Sequence, residues 1–370
     1  MPEARFTAVP LSPVHIGTGE PVGPEEYYLE DAGAGKVLVR FSPTAVLGAA
    51  GEAERARVDK LLEGGKADEA VQALRGLARK IPEGVLYRCA LGGPAAKFLQ
   101  GWLTDPGRSR GEVRPMPHNP YDGRVVIPGS ALKGALRTGV VSSLANTADR
   151  KAWREEFLER IEATGHEREL SRLAGELEKE LIRADGEMES DPFRFLKVED
   201  ASLAGKEVLR IDEARVVYAD EDLRKPGPPM FVERLVSRAD GGEAGFQVTV
   251  RIANPHEISA AARRNKFAWT ADLQWILRAA NSFFRHRYQA EAHRFPALYS
   301  ALPAPGKLPE GFLLRVGRYS HFESLSVEGL RKGFNRQKRT WIREGSTRTV
   351  CELAGGKRAP FGWILLRAAS

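Results

Sequence analysis

Cysteine is almost absent: Cys89 and Cys351 stand alone in 370 residues, too few and too far apart for a disulfide framework or a paired zinc site. The seven histidines form no ligand cluster that would replace them. No apolar run approaches the length of a membrane span, and the first residues lack the basic and apolar regions of a secretory signal, so the expectation is a cytoplasmic protein without a membrane partner. A Gly-x-Ser-x-Gly elbow and a His-Glu-x-x-His helix are both missing. Gly129-Ser-Ala-Leu-Lys-Gly134 has the outline of a nucleotide loop, but Ala135-Leu136 follow where Lys and Ser or Thr are required. Serine hydrolysis, zinc peptidase chemistry and nucleotide hydrolysis are therefore set aside, and neither a cofactor nor a metal is expected.

What is present is a globular composition, 42% hydrophobic and 28% charged, in a chain long enough for two domains. The formal charge of +7 is unevenly spread. From Arg331 to Arg367 the only carboxylates are Glu344 and Glu352, among Arg331, Lys332, Arg336, Lys338, Arg339, Arg343 and Arg348. Such a region favours a polyanionic partner, although a run of cations is often no more than a solvated face.

The stretch from Val125 to Thr138 carries the most information. Val125-Val-Ile127 reads as a short strand, Pro128-Gly129 as a turn, and Ser130 as the N-cap of a helix. Lys133 stands where a capping box would have Glu or Gln, and Arg137 lies one turn further along the same face. Two cations there oppose the helix dipole unless an anion sits on the N-terminus, so Gly129, Ser130, Lys133 and Arg137 together read as a phosphate site. An ordinary strand-to-helix turn with solvated cations is the competing reading.

The rest of the chain divides into strands and helices by periodicity. Phe6 to Ile16 alternates as a strand that Gly17-Thr-Gly19 breaks, with His15 beside the break, where it could meet a phosphate or a base. Tyr27–Leu29, Val37–Phe41 and Val85–Leu91 read as strands, and Glu52–Leu77 as helix interrupted by Gly64-Gly65. His118, in the Pro-rich run from Arg114 to Pro120, is expected to be exposed. Trp153, Phe157, Ile161 and then Leu170, Leu173, Leu177, Leu181 recur at helical spacing on either side of Gly165, a charged helical hairpin between Asn146 and Glu189. Strands are expected at Phe195–Val198, Leu209–Val217 and Gly245–Ala253, a Pro-rich loop at Lys225–Pro229 before Met230–Leu235, and a long helix at about Glu257 to Ala292 with Phe267, Trp275, Ile276, Phe283 and Phe284 as its core stripe. Phe312–Val316 and Phe361–Leu366 are expected to pair. Between them Gly317-Arg-Tyr-Ser-His321 packs a cation, an aromatic ring, a hydroxyl and a histidine into five residues, the groups that hold a single-stranded nucleic acid. Strands before and after helices, without steady alternation, indicate an α+β class.

Three segments carry a resemblance. Ile127-Pro-Gly-Ser-Ala-Leu-Lys-Gly-Ala-Leu-Arg137 resembles the glycine-turn motif of the RAMP superfamily, the repeat-associated RNA-binding proteins of CRISPR systems. Leu11-Ser-Pro-Val-His-Ile-Gly-Thr-Gly19 resembles its first-strand signature. Arg315-Val-Gly-Arg-Tyr-Ser-His-Phe-Glu-Ser324 resembles its glycine-rich loop, with Pro360-Phe-Gly-Trp363 as closing strand. Order, spacing and length are most similar to the fifth Csm subunits of type III-A effector complexes. The resemblance implies two ferredoxin-like, RNA-recognition-type domains with helical insertions: 1–145, carrying an insertion at about 50–80; a charged helical insertion, 146–190; and 191–370 with the basic C-terminal region. It also implies a non-catalytic subunit that binds the 3′ portion of a CRISPR guide RNA beside a backbone RAMP subunit and a small helical subunit, supporting guide maturation, with recruitment of host trimming nucleases. The RNA-binding residues would be His15, Gly129, Ser130, Lys133, Arg137, Gly317, Arg318, Tyr319, Ser320, His321, Arg331, Lys332, Arg336, Lys338 and Arg339. The alternative is a metal-independent endoribonuclease processing guide precursors, in which His15 or His321 with Lys133 would act on a 2′-hydroxyl.

Overall fold

In the computed structural model, which describes residues 3–33, 35–104, 111–183, 190–203, 208–218, 227–242, 245–253, 272–336 and 338–369, the first strand lies between strands from the far half of the chain. Strand β1 (Glu3–Pro10) pairs antiparallel with a strand at Phe246–Ile252 on one side and one at Trp363–Ala368 on the other. Its Phe6 and Ala8 are buried, and Phe6 faces Val248 and Ala368 across the two ladders. The alternation read from Phe6 onward thus marks a central strand, ending at Pro10 where a ring without an N–H stops the ladder.

The remaining strands, in chain order, are β2 (Tyr27–Ala32), β3 (Gly35–Phe41), β4 (Val85–Leu91), β5 (Val113–Arg114), β6 (Val125–Ile127), β7 (Leu196–Val198), β8 (Ala201–Leu203), β9 (Leu209–Tyr218), β10 (Met230–Leu235), β11 (Phe246–Ile252), β12 (Phe312–Arg315), β13 (Gly333–Asn335), β14 (Thr340–Ile342), β15 (Thr347–Glu352), β16 (Arg358–Pro360) and β17 (Trp363–Ala368). The helices are α1 (Pro43–Ala49), α2 (Glu52–Glu63), α3 (Ala67–Ala78), α4 (Gly93–Thr104), α5 (Gly129–Ala145), α6 (Lys151–Ala163), α7 (Glu167–Ile182), α8 (Leu273–Arg294), α9 (Pro296–Tyr299) and α10 (His321–Ser324).

One sheet runs β12-β17-β1-β11-β7 and is antiparallel throughout. Helices α5 and α8 pack on each other and on this sheet, burying Leu132, Leu136, Val140, Ile276, Leu277, Phe284 and Tyr288 against Leu314, Trp363 and their neighbours. Traced along the chain, β1-α5-β7-β11-α8-β17 is a β-α-β-β-α-β circuit whose strands order β17-β1-β11-β7, the ferredoxin-like arrangement, with β12 added at the edge. The expected pairing of Phe312–Val316 with Phe361–Leu366 is present as β12 with β17, Leu314 opposite Ile364.

A second, mixed sheet of eight strands runs β16-β15-β9-β4-β3-β2, with β10 joining β9 to β5. Helices α1 to α3 cover its β2–β3 end through a separate apolar cluster including Tyr28, Val39, Phe41, Val58 and Leu74. Both sheets draw on both halves of the chain, so a division at residues 145 and 190 sets the helical hairpin apart but cuts through each sheet. The hairpin itself, α6 and α7 turning at Gly165, stands where the leucine spacing puts it and buries Phe157, Ile161, Leu173, Leu177 and Leu181. Of the long expected helix, residues 273–294 are helical with Ile276, Phe283 and Phe284 buried, while Phe267 and residues 257–271 lie outside the described residues. Among the described residues no helix is long and apolar enough to cross a membrane, and no group of His, Cys, Asp or Glu is placed to hold a metal ion.

Candidate nucleic-acid interface

The turn before α5 forms as its residues dictate, but its charges are arranged differently from the sequence expectation. Pro128, not Ser130, is the N-cap and offers no capping side chain of its own; Ser130 is already inside the first turn and exposed. The orphan Gly129 N–H donates to Asp200 Oδ1 at 2.7 Å, so a carboxylate of the chain itself meets the positive end of the helix dipole. A side chain at Gly129 would run into the Val198 carbonyl, which is why glycine stands here. Arg137 is likewise already paired: its Nη1 and Nη2 donate to Asp191 at 3.1 and 2.8 Å, Nη2 also to Glu178 at 2.9 Å, and its guanidinium lies over the Phe193 ring. That fork-to-carboxylate geometry ties α5 to α7 and to Asp191 and removes Arg137 from the phosphate set. Lys133 differs. It forms no ion pair among the described residues, and burial, then the charge of Lys197 on β7, holds its ammonium below the ordinary lysine value. An unsatisfied pair of cations, Lys133 with Lys197, is what remains of the expected phosphate site, and Lys197 was not among the expected residues.

The loop after β12 is built around His15. Gly317 has φ of 93°, a left-handed conformation that favours glycine, and a side chain there would strike the His15 carbonyl. That carbonyl accepts from the Arg318 N–H at 3.0 Å, locking the loop onto the segment that follows β1. The His15 ring is buried; its Nδ1 donates to the Glu233 main-chain oxygen at 2.7 Å, and it stacks on Tyr319 at 5.5 Å and 25°. Burial pushes its pKa down to about 4. Tyr319 also packs on Phe361, so its ring is wedged between two aromatic neighbours instead of lying open as a stacking platform. Ser320 is buried and its hydroxyl donates to the Gly317 carbonyl. Arg318 is exposed and makes no ion pair among the described residues.

His321 turns inward. With φ of 63° it opens α10, and its Nε2 accepts from the Thr349 N–H at 3.0 Å. Burial, reinforced by Arg315 and Arg348, holds its imidazole well below the usual histidine range. Beneath it Glu291 accepts from Arg315 at 2.7 Å and from Tyr299 at 2.9 Å, and Arg348 donates to Glu323 at 3.0 Å. This buried charge network carries the loop; His321 belongs to it and not to an open surface.

The basic C-terminal region is similarly redistributed. It forms two β-hairpins, β13–β14 and β15–β16, which the sequence reading missed. Arg331 is buried and paired with Glu328. Lys332 Nζ donates to the Ile161, Glu162 and Thr164 carbonyls at 3.0, 2.9 and 2.9 Å, closing the C-terminus of α6. Arg336 pairs with Glu167 at 2.8 Å, and Arg343 pairs with Glu162. Lys338 and Arg339, at the tip of the first hairpin, remain exposed without an ion pair among the described residues.

Two groups that the sequence reading left aside matter here. Arg114, on β5, pairs with Val232 in the ladder, but its side chain has no hydrogen bond or ion pair among the described residues and lies close enough to act electrostatically on both His15 and Tyr319. Glu233, on β10, is buried and accepts from Tyr87 Oη at 2.6 Å, His118 Nε2 at 2.9 Å and the Met116 N–H at 2.8 Å. His118 is therefore not an exposed loop residue: its ring stacks on Tyr87 at 3.9 Å and both its nitrogens face acceptors, Glu233 and the Gly123 carbonyl. The α5 start and the Gly317 loop do not meet; the first contacts Asp200 and Val198, the second His15 and Thr349.

Comparison with known proteins agrees with this architecture. Among solved structures, a chain of a Csm–crRNA–target RNA ternary complex of a type III-A CRISPR-Cas system superposes with a TM-score of 0.61 at 19% identity, covering 99% of this chain and 100% of that one. Csm5 of T. onnurineus superposes with a TM-score of 0.55 at 18% identity, covering 97% and 99%. No curated protein sequence matches. Residues 7–358, from the central strand β1 through the Gly317 loop to the last hairpin, match the RAMP superfamily, and the chain belongs to it.

Proposed function

We propose that this chain is a non-catalytic RNA-binding subunit of a type III-A CRISPR effector complex, holding the 3′ portion of the guide RNA. The observation that carries the reading is the pair Arg114 and Arg318, two cations without a carboxylate partner among the described residues, both acting electrostatically on the His15–Tyr319 stack at the loop that Gly317 shapes. Unneutralised cations fixed by main-chain bonds suit a phosphodiester backbone. Lys133 with Lys197, and the hairpin tip Lys338 and Arg339, supply further phosphate contacts. The likeness to a Csm–crRNA–target RNA complex and to Csm5 supports the placement in such an assembly. There the partners would be a backbone RAMP subunit and a small helical subunit, with trimming nucleases visiting the 3′ end.

Geometry argues against the endoribonuclease reading. His321 spends its lone pair on the Thr349 main-chain N–H, and His15 is held by the Glu233 carbonyl, so neither ring nitrogen bonds Lys133. The test is retention of guide RNA in chelator without cleavage, with affinity falling with salt at a slope of about −0.7 per neutralised phosphate. Arg114→Glu and Arg318→Glu each weaken binding and flatten that slope. A cleaved product that disappears in His15→Ala, or RNA retention indifferent to both arginine substitutions, overturns the proposal.

A further inference from the structure

Three of the buried polar atoms around the Gly317 loop that lack a hydrogen-bond partner among the described residues, Arg315 Nη2, Glu323 Oε2 and Arg348 Nε, belong to groups with ion-pair partners; a fourth, on His15, does not. His15 Nδ1 faces the Glu233 carbonyl, which only accepts, so the hydrogen of the ring sits on Nδ1 and Nε2 presents a lone pair. That Nε2 is buried and has no hydrogen-bond partner among the described residues. A buried acceptor left so is costly, and an unexplained one points to a missing ligand group. The space beside it is kept by Gly17: a β-carbon there would stand 3.0 Å from Nε2 and 3.5 Å from Arg318 Nη1. The gap is thus bounded by a neutral acceptor and by an exposed guanidinium with no ion pair among the described residues, with Arg114 acting on the same ring.

We infer that His15 reads the ribose 2′-hydroxyl of a bound ribonucleotide, whose O–H donates to Nε2 while Arg318 turns to the adjoining phosphate, so that this site distinguishes RNA from DNA. The chemistry selects this ligand group. The site needs a hydrogen-bond donor immediately beside an anion, and in a ribonucleotide the 2′-hydroxyl stands on the carbon next to the one bearing the 3′-phosphodiester. Base amino groups donate too, but they lie a whole nucleoside away from that charge. Arg318 is the side chain whose atoms border the gap, and its own main-chain anchor to the His15 carbonyl lets the guanidinium move without displacing the loop. The 2′-hydroxyl is also the group by which a protein tells RNA from DNA.

This inference rests on the RNA-binding reading above, and one experiment separates the two. The full chain is titrated at constant salt with a short single-stranded RNA of mixed sequence and with its 2′-fluoro counterpart, which keeps an RNA-like sugar pucker and cannot donate. The expected result is about five- to tenfold tighter binding of the RNA, the size of one lost hydrogen bond to a buried acceptor. Gly17→Ala fills the gap and erases the preference while leaving the weaker 2′-fluoro affinity in place. Equal binding of RNA and 2′-fluoro RNA by the wild-type chain, both weakened by Arg318→Glu, overturns the hydroxyl reading and leaves RNA binding standing. No binding of either, or binding indifferent to Arg114→Glu and Arg318→Glu, overturns the function on which it rests.

Discussion

His15 and Glu233 stand 218 residues apart in sequence and are joined at 2.7 Å, side chain to main chain. The same glutamate turns its carboxylate the other way, to Tyr87, His118 and the Met116 N–H. Met116 in turn accepts the Ile16 N–H on its sulfur at 3.0 Å. The loop after β1, the segment after β5 and the middle of β10 therefore hold one another, and the Arg114–Arg318 pair inherits its position from that knot.

Loosening the knot should reach the RNA. Glu233→Gln keeps the shape but removes the charge that three donors face, and Glu233→Leu leaves Tyr87, His118 and Met116 unsatisfied. Destabilisation of about 1 to 3 kcal/mol is expected for Glu233→Leu, with less for Glu233→Gln. Urea denaturation measures it; a Glu233→Leu chain as stable as the wild type would show that the carboxylate holds nothing together.

Arg137→Ala and Lys133→Ala should separate cleanly. The first breaks a largely buried fork between α5, Asp191 and Glu178 and should cost about 2 kcal/mol of stability. Lys133, unpaired and partly desolvated, should cost little stability and lower RNA affinity instead. Thermal melts beside binding titrations decide this, and the reverse assignment would return Arg137 to the interface.

Acid should weaken the fold through its histidines before its carboxylates. The folded chain keeps His321 neutral well below, and His15 neutral down to about pH 4, whereas the unfolded chain takes up these protons near the ordinary histidine value. Protons bound only by the unfolded state mean that stability is full above about pH 6.5 and is lost as pH falls, by ~1.4 kcal/mol per pH unit per group. Asp191, Glu291 and Glu323, held low by their arginine partners against burial, stay ionised in the folded chain and add to the loss only near and below about pH 4. His321→Asn suits the left-handed backbone and removes the titrating ring, at the cost of the Thr349 bond to Nε2, so melting points across this range should fall more gently for it than for the wild type. Parallel curves would contradict the assignment.

The first C-terminal hairpin should show the same division of labour. Lys332→Met uncaps the last turn of α6 and should cost about 1 kcal/mol. Lys338→Glu and Arg339→Glu should leave the melting point unchanged and reduce RNA affinity, most visibly at low salt. Tip substitutions without effect on binding would take the hairpin out of the interface.

Periodicity made the framework legible. The helical hairpin from its leucines, the Gly64-Gly65 break, β4 from Val85 to Leu91 and the β12–β17 pairing all stand where apolar spacing puts them. What the sequence hid was partnership. Arg137 and Arg348 look like free cations, yet each has carboxylates brought to it from distant elements, Asp191 and Glu178 to the first and Glu291 with Glu323 to the second, while Arg331 is paired locally with Glu328 three residues before it. Arg114 offered no signal, since one cation in a Pro-rich loop is unremarkable until β5 places it beside the Gly317 loop. The basic hairpins were missed for a related reason: strands of three residues, Gly333–Asn335 and Thr340–Ile342, are too short to show alternation, and the cations Arg336, Lys338 and Arg339 crowd the turn between them, so the pair emerges only when Phe334 and Trp341 are seen packing across it.

The placement of β1 has a consequence for synthesis. On the ribosome this strand emerges well before either ladder it needs, one made after residue 246 and the other only when residues 363–368 are out. A nascent chain must therefore carry the strand unpaired until then, a vulnerable state for any β-rich protein. Removing the final strand should expose the middle of the sheet instead of trimming its border, so that a chain ending before Trp363 would be recovered with chaperones or in aggregates.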